Sequence, residues 1–136
     1  IYVESNMSRI LIIESDVAII RGLTDALEEE SFVVTSKRDG LQGLAEARSG
    51  RYDCIIADMM LPSMNGREFC YKLHEEKITT PILILVTKGE EIGKTNVMEI
   101  GADDYITKPF GVRELIARVH ALQRKSAIKM KRMNKA

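Results

Sequence analysis

Nowhere in this chain do 18 apolar residues run together, and no charged-then-apolar leader with a small-residue cleavage site opens it. A helix that crosses a bilayer needs about 20 such residues. The sequence therefore predicts neither a spanning segment nor a secretory signal, and points to a cytoplasmic location with no membrane partner. Cysteine is scarce too: Cys54 and Cys70 are the only two, without the paired spacing of a metal or redox site, and read as buried structural thiols. His74 and His120 stand alone, without ligand spacing, as surface or packing residues. Gly89 and Gly93 do not make a phosphate loop, and no Ser/His/Asp nucleophilic set is visible.

Net charge is also missing, with 20 basic residues against 20 acidic ones. The balance is uneven along the chain. From Arg124 onward, Arg124, Lys125, Lys129, Lys131, Arg132 and Lys135 meet no acidic residue, which leaves 14 basic against 20 acidic before that point. The body is thus about six units negative and repels nucleic acid, so any DNA contact has to come from the tail or from a domain outside this chain. Residues 126–136 read as a solvated basic tail or linker.

What is present suits one domain. A length of 136 residues, 45% of them hydrophobic and 29% charged, is ordinary for a globular protein with a sizeable core, placed here over 7–125. Residues 1–6 precede Met7 and read as a remnant of an expression tag, excluded from the fold.

The chain is organised around Tyr52-Asp53-Cys54-Ile55-Ile56-Ala57-Asp58-Met59-Met60-Leu61-Pro62. Ile55, Ile56 and Ala57 lack the alternation of a half-exposed strand, which predicts a central parallel strand buried on both faces. Asp58 then arrives at its carboxyl edge, accessible and ionised, where open α/β sheets collect ligands. Pro62 and Asn65-Gly66 force a loop after it.

Ile10 to Ile13 is a second buried strand, ending in Glu14-Ser15-Asp16. A helix from Val17 to Glu29 follows, with Ile19, Ile20, Leu23, Ala26 and Leu27 on one stripe and Ser15 or Asp16 as its cap. Phe32 to Thr35 reads as a strand, and Gly40 to Ser49 as a helix carrying Leu41, Leu44 and Ala45. Phe69, Cys70 and Leu73 mark a third helix, and Pro81 opens the strand Ile82 to Val86 before Thr87. A fourth helix is expected from about Glu91 to Ile100, stopped by Gly101. Asp104 to Thr107 is the last strand, and the fifth helix shows Val112, Leu115, Ile116, Val119 and Leu122 in register.

Five strands alternating with five helices imply a doubly wound parallel sheet with right-handed crossovers. The order 2-1-3-4-5 is the flavodoxin-like option. It brings Glu14 and Asp16 near Asp58, with Lys108 arriving after the fifth strand. Such carboxylates suit Mg²⁺, a hard cation that prefers oxygen. A carboxylate beside that ion and an ammonium can act as a nucleophile toward a phosphoryl group, which points to an aspartyl phosphate.

The segments Ile10–Glu14, Asp58-Met59-Met60-Leu61-Pro62-Ser63-Met64-Asn65-Gly66 and Gly101-Ala102-Asp103-Asp104-Tyr105-Ile106-Thr107-Lys108-Pro109-Phe110 resemble the receiver domains of two-component response regulators. The last two most resemble receivers that precede a winged-helix DNA-binding domain. The resemblance covers about residues 8–125. It implies phosphorylation of Asp58 by a phosphohistidine kinase, Mg²⁺ held by acidic side chains and the Met60 backbone carbonyl, Lys108 on the phosphoryl group, a cis Lys108–Pro109 bond, and Tyr105 as the aromatic whose rotamer reports activation. It also implies a homodimer through the fourth helix, fifth strand and fifth helix, where Lys94, Asp103, Asp104, Glu114, Arg118 and Arg124 match charge-pair positions. DNA contact would belong to an output domain outside this chain.

Two positions depart from the family pattern. Ser15 stands where a second acidic metal ligand is usual, so Mg²⁺ affinity should fall unless Asp16 or Glu14 reorients. Val86 stands where the family has a Thr or Ser that hydrogen-bonds the phosphoryl group, and Val has no hydroxyl. Thr87 is one residue late and would reach the site only if the strand ended at Val86. A degenerate receiver, working as a phosphorylation-independent interaction and dimerisation module, is therefore the competing reading. A haloacid-dehalogenase-like phosphatase, the enzyme alternative, needs a second Asp two residues after the first, and that place is Met60.

Overall fold

Successive side chains on a strand point to opposite faces, so a strand apolar at every position has to be covered twice. In the computed structural model, which describes residues 8–89 and 99–135 with side chains as far as Ser126, that is how the sheet is built. The elements are β1 (Arg9–Ile13), α1 (Val17–Glu29), β2 (Val33–Lys37), α2 (Gly40–Ser49), β3 (Cys54–Asp58), α3 (Gly66–Glu75), β4 (Ile82–Thr87), β5 (Asp104–Lys108) and α4 (Val112–Lys135). The strands form one parallel sheet in the order β2-β1-β3-β4-β5, as expected. The expected tag remnant, and most of the helix expected at 91–100, lie outside the described residues. Glu99 is helical, and Gly101 takes a φ of 98°, the left-handed conformation suited to a helix-ending glycine.

The two faces sort by residue parity. Leu11, Ile13, Ile55, Ala57 and Ile84 face a cluster completed by Leu44, Phe69 and Leu73 from α2 and α3. Ile10, Ile12, Cys54, Ile56, Leu83 and Leu85 face the other, completed by Leu23, Leu27, Leu115 and Val119 from α1 and α4. Each large apolar side chain taken fully out of water stabilises the fold by about 1.5–3 kcal/mol. Burial pushes the Cys54 thiol far above its ordinary range and the Cys70 thiol up to about 12, so both stay protonated packing groups.

Three local expectations change. In α2, Leu41 is 54% exposed and Ala45 is exposed as well, while Gly43, Leu44 and Ala47 face the sheet. The helix lies so close that a Cβ on Gly43 would stand 2.5 Å from Ile13 Cδ1. A face made of small residues gives almost no hydrophobic signal. The second strand begins at Val33 rather than Phe32 and runs on to Lys37, because β1 supplies a parallel partner as far as Ile13. Phe32 is buried just before it, its ring centroid 5.1 Å from that of His120. Finally, α4 does not stop with its apolar register at Leu122 but continues through the basic stretch to Lys135, where no glycine or proline interrupts it.

Candidate functional site

Three strands end at one edge, and each delivers a charge there. β1 and β3 are adjacent, with Ile13 opposite Ala57, so Glu14 and Asp58 emerge side by side. β5 ends in Lys108, whose peptide bond to Pro109 is cis, as expected. The Lys108 ammonium donates to Glu14 Oε1 at 2.7 Å and to Asp58 Oδ2 at 2.7 Å, tying together the early, middle and late parts of the chain.

The hollow is nearly closed to water. Glu14 is 1% exposed and Asp58 is 5% exposed, so the expectation of an accessible Asp58 is corrected. Neighbouring strands and the following loop cover it, leaving its oxygens to serve the ammonium and the Met60 backbone N–H, which donates to Oδ1 at 3.1 Å. The other Glu14 oxygen, Oε2, accepts the Ser15 N–H at 2.9 Å and the Asp16 N–H at 3.2 Å. Burial pushes the Glu14 carboxyl above its ordinary range, against the opposing pull of Lys108 and the Asp16 N–H, and neighbouring Asp58 adds to the upward push. For Lys108, burial works to lower the pKa, but hydrogen bonds to Asp58 and Glu14 outweigh it and hold the ammonium above its usual value.

Asp16 is not part of this cluster. It is exposed and caps α1, its Oδ1 accepting the Ala18 N–H at 2.9 Å and the Ile19 N–H at 3.4 Å. Ser15 is half-buried, and its carbonyl accepts a hydrogen bond from the Arg38 guanidinium at 3.1 Å. Sequence reasoning missed Arg38, which reaches the site from the turn after β2 and carries no motif. The Met60 side chain is 64% exposed. Among the described residues no three acidic, histidine or cysteine side chains gather in a metal-holding group. Glu14 and Asp58 remain as an oxygen set. Mg²⁺, which commonly takes one or two carboxylates and keeps several waters, fits it with less charge than a third carboxylate would give.

Val86 is 3% exposed near the end of β4, and the strand continues through Thr87, which is exposed. Tyr105 is half-buried against the cluster formed with α2 and α3. Four of the six charges expected on the partner face, Asp103, Asp104, Glu114 and Arg118, are engaged within the chain. Arg118 Nη1 donates to Asp104 Oδ1 at 3.0 Å and Oδ2 at 2.8 Å, and its Nε lies 3.6 Å from Glu114. Asp103 accepts the Ile82 N–H at 2.8 Å and pairs with Lys125 at 3.3 Å. Arg124 is exposed, and Lys94 lies outside the described residues.

A buried carboxylate pair bridged by an ammonium can accept an electrophile on Asp58 while neighbouring cationic charge offsets the charge that builds. Known proteins match the chain along most of its length. The family profile described as the response regulator receiver domain matches residues 10–120. The response regulator ArlR of Staphylococcus aureus is 43% identical over 119 residues, which is 88% of this chain and 54% of that protein. The chain thus spans about half the length of the curated relatives it matches. Among solved structures, the receiver domain of Francisella response regulator 1452 superposes with a TM-score of 0.83 at 31% identity, covering 88% of this chain and 98% of that one. The chemotaxis response regulator CheY4 of Vibrio cholerae gives 0.77 at 28% identity, covering 86% and 99%.

Proposed function

The chain belongs to the response regulator receiver domain family, and from that premise we propose that Asp58 is its phosphoacceptor. As a receiver domain of a two-component response regulator, it is a signalling switch. In our reading an Asp58 carboxylate oxygen attacks the phosphorus of a phosphohistidine on a partner kinase. The P–O bond forms as the P–N bond breaks, and the imidazole leaves with its electron pair. Lys108 stays beside the transferring oxygens and offsets their charge. Glu14 holds the ammonium in place through its own 2.7 Å hydrogen bond. Mg²⁺, bound by Glu14, Asp58 and the Met60 carbonyl, would supply further charge neutralisation at the phosphoryl oxygens. The proposed partners are a histidine kinase, a second copy through β5 and α4, and an output domain outside this chain. The proposed location is the cytoplasm.

The observation that carries this reading is the single ammonium held by two buried carboxylates from different strands. Solvated carboxylates at loop starts would not converge on one lysine. Intact-mass measurement after treatment with acetyl phosphate and Mg²⁺ tests it. One added phosphoryl group, absent in Asp58→Ala, is the expected result, and no addition to the wild type would sink it.

A second reading is favoured by Val86. A buried residue without a hydroxyl stands where the family couples the phosphoryl group to loop movement, and Asp16 caps a helix instead of adding charge to the hollow. On this view the domain is an interaction module whose pairing does not depend on phosphate. Beryllofluoride with Mg²⁺ separates the two: binding with a shift at Tyr105 supports the switch, and no binding and no shift supports the module.

A further inference from the structure

We propose, on the reading of Asp58 as phosphoacceptor, that the turn between β2 and α2 is a clamp that positions Asp58 by fastening the loop after β1 to the loop after β3. The connection is short: β2 ends at Lys37 and α2 begins at Gly40, so Arg38 and Asp39 are all of it. Toward β1, the Lys37 carbonyl accepts the Glu14 N–H at 3.1 Å, and the Arg38 guanidinium donates to the Ser15 carbonyl at 3.1 Å. Ser15 is thereby held through both of its backbone groups, since its own N–H is bonded to Glu14 Oε2.

Toward β3, the turn grips the crest of the loop that leaves Asp58. The Gly40 N–H donates to the Pro62 carbonyl at 3.1 Å. The Ser63 hydroxyl donates to Asp39 Oδ1 at 3.1 Å and accepts the Leu41 N–H at 3.3 Å. Asp39 Oδ1 also accepts the Gln42 N–H at 2.8 Å, so the oxygen that caps α2 is the one that takes hold of the loop. The approach is close enough that a Cβ on Gly40 would overlap the Met64 carbonyl. Ser63 has a φ of 63°, in the left-handed region that a serine rarely adopts. Its bonds to Asp39 and to the Leu41 N–H hold it there.

The base of the same loop is anchored by the Met59 N–H on the Leu85 carbonyl at 3.0 Å and the Gly66 N–H on the Met59 carbonyl at 2.8 Å. Between base and crest lies Met60, whose N–H fixes Asp58 Oδ1. A loosened crest therefore frees the backbone donor that orients the carboxylate. Lys108 also ties Glu14 to Asp58. That tie has to give when a transferring phosphoryl group takes a share of the donors on the ammonium. The bonds of the clamp span the same two loops and involve neither carboxylate, so they keep Asp58 in place while the lysine changes partners. Arg38, Asp39 and Ser63 are positioning residues in this sense.

The test follows the full chain by two readouts: the rate of phosphoryl uptake from acetyl phosphate at saturating Mg²⁺, read by intact mass, and amide exchange of Ser15, Asp16 and Met60 in the unreacted chain, read by NMR. Ser63→Gly removes the hydroxyl and suits the left-handed backbone, so the fold should persist. Uptake should slow about fivefold and Met60 exchange should quicken by a similar factor, the worth of one ordinary hydrogen bond. Arg38→Ala should quicken exchange at Ser15 and Asp16 and slow uptake to a similar degree. Arg48→Ala is the contrast, because it removes the ion pair that ties the far end of α2 to Glu76 and leaves the clamp alone. It should keep wild-type uptake and wild-type exchange at all of these amides. Wild-type uptake and exchange in Ser63→Gly and Arg38→Ala overturn the clamp. So does an Arg48→Ala chain that slows uptake as much as they do, since the effect would then be a general weakening of α2. A wild type that takes up no phosphoryl group overturns the phosphoacceptor role of Asp58 instead, and the clamp then stands on faster Met60 exchange in Ser63→Gly and falls on unchanged exchange.

Discussion

Glu14 and Lys108 stand 94 positions apart in the chain, and their side chains meet with Oε1 2.7 Å from Nζ. The same ammonium reaches Asp58, so one cation serves two nearly buried anions. Lys108→Met should leave both carboxylates without a counter-charge and lower stability at neutral pH by about 3 kcal/mol, read as a fall in chemical-denaturation midpoint. The Lys108 pKa is held above its ordinary 10.5 in the fold. Its contribution is therefore complete below 10.5 and disappears as pH rises through the folded value. The gap between wild type and variant should close at high pH, and a gap that stays constant would mean the loss was only one of packing.

Glu14→Gln should act in the other sense. Burial raises the Glu14 pKa above 4.5, so ionised Glu14 costs the folded state stability at neutral pH. Gln keeps an acceptor for Lys108 and removes one of two adjacent like charges. The variant should be as stable as the wild type or more so at pH 7. Any advantage should fade as pH falls through the raised value toward 4.5, where wild-type Glu14 takes up its proton. Urea midpoints across that range check the slope.

Ser15→Asp should tighten Mg²⁺ binding by about an order of magnitude, because it adds a negative oxygen ligand beside Glu14 and Asp58. Isothermal titration gives the comparison directly. Unchanged affinity would show that residue 15 does not face the ion.

Val86→Thr should separate chemistry from coupling. The two side chains share a shape, and an unpaired buried hydroxyl at this 3% exposed position costs about 1–3 kcal/mol. Thermal midpoint should drop modestly, while the response of Tyr105 to beryllofluoride should grow. A lower midpoint with no change in that response would remove Val86 from any account of signalling.

The sheet was legible in the sequence where the physics is blunt. Ile10–Ile13, Cys54–Ala57 and Ile82–Val86 have no polar alternation, and a strand buried on both faces leaves no other reading. Strand order came from a general rule about switch points, and the meeting of Glu14, Asp58 and Lys108 followed from that order. Other features were hidden for particular reasons. Asp58 looked open to solvent because a strand end in sequence does not show how deeply its neighbours enclose it. Asp16 seemed as good a ligand as Glu14 until the backbone N–H groups of α1 claimed it. The buried face of α2 is built from Gly43 and Ala47, residues that no hydrophobic count marks. Arg38 belongs to no pattern and becomes visible only when its turn folds over Ser15.

The Asp104–Arg118 pair changes what a second copy could find on this surface. Because the guanidinium is already doubly bonded to its own chain's carboxylate, an approaching copy meets no unsatisfied positive charge at Arg118 itself. It can only trade one carboxylate for another, at nearly equal energy. What this pair adds to discrimination between self and stranger would then rest on fit, on whether both exchanges can happen at once around a twofold axis.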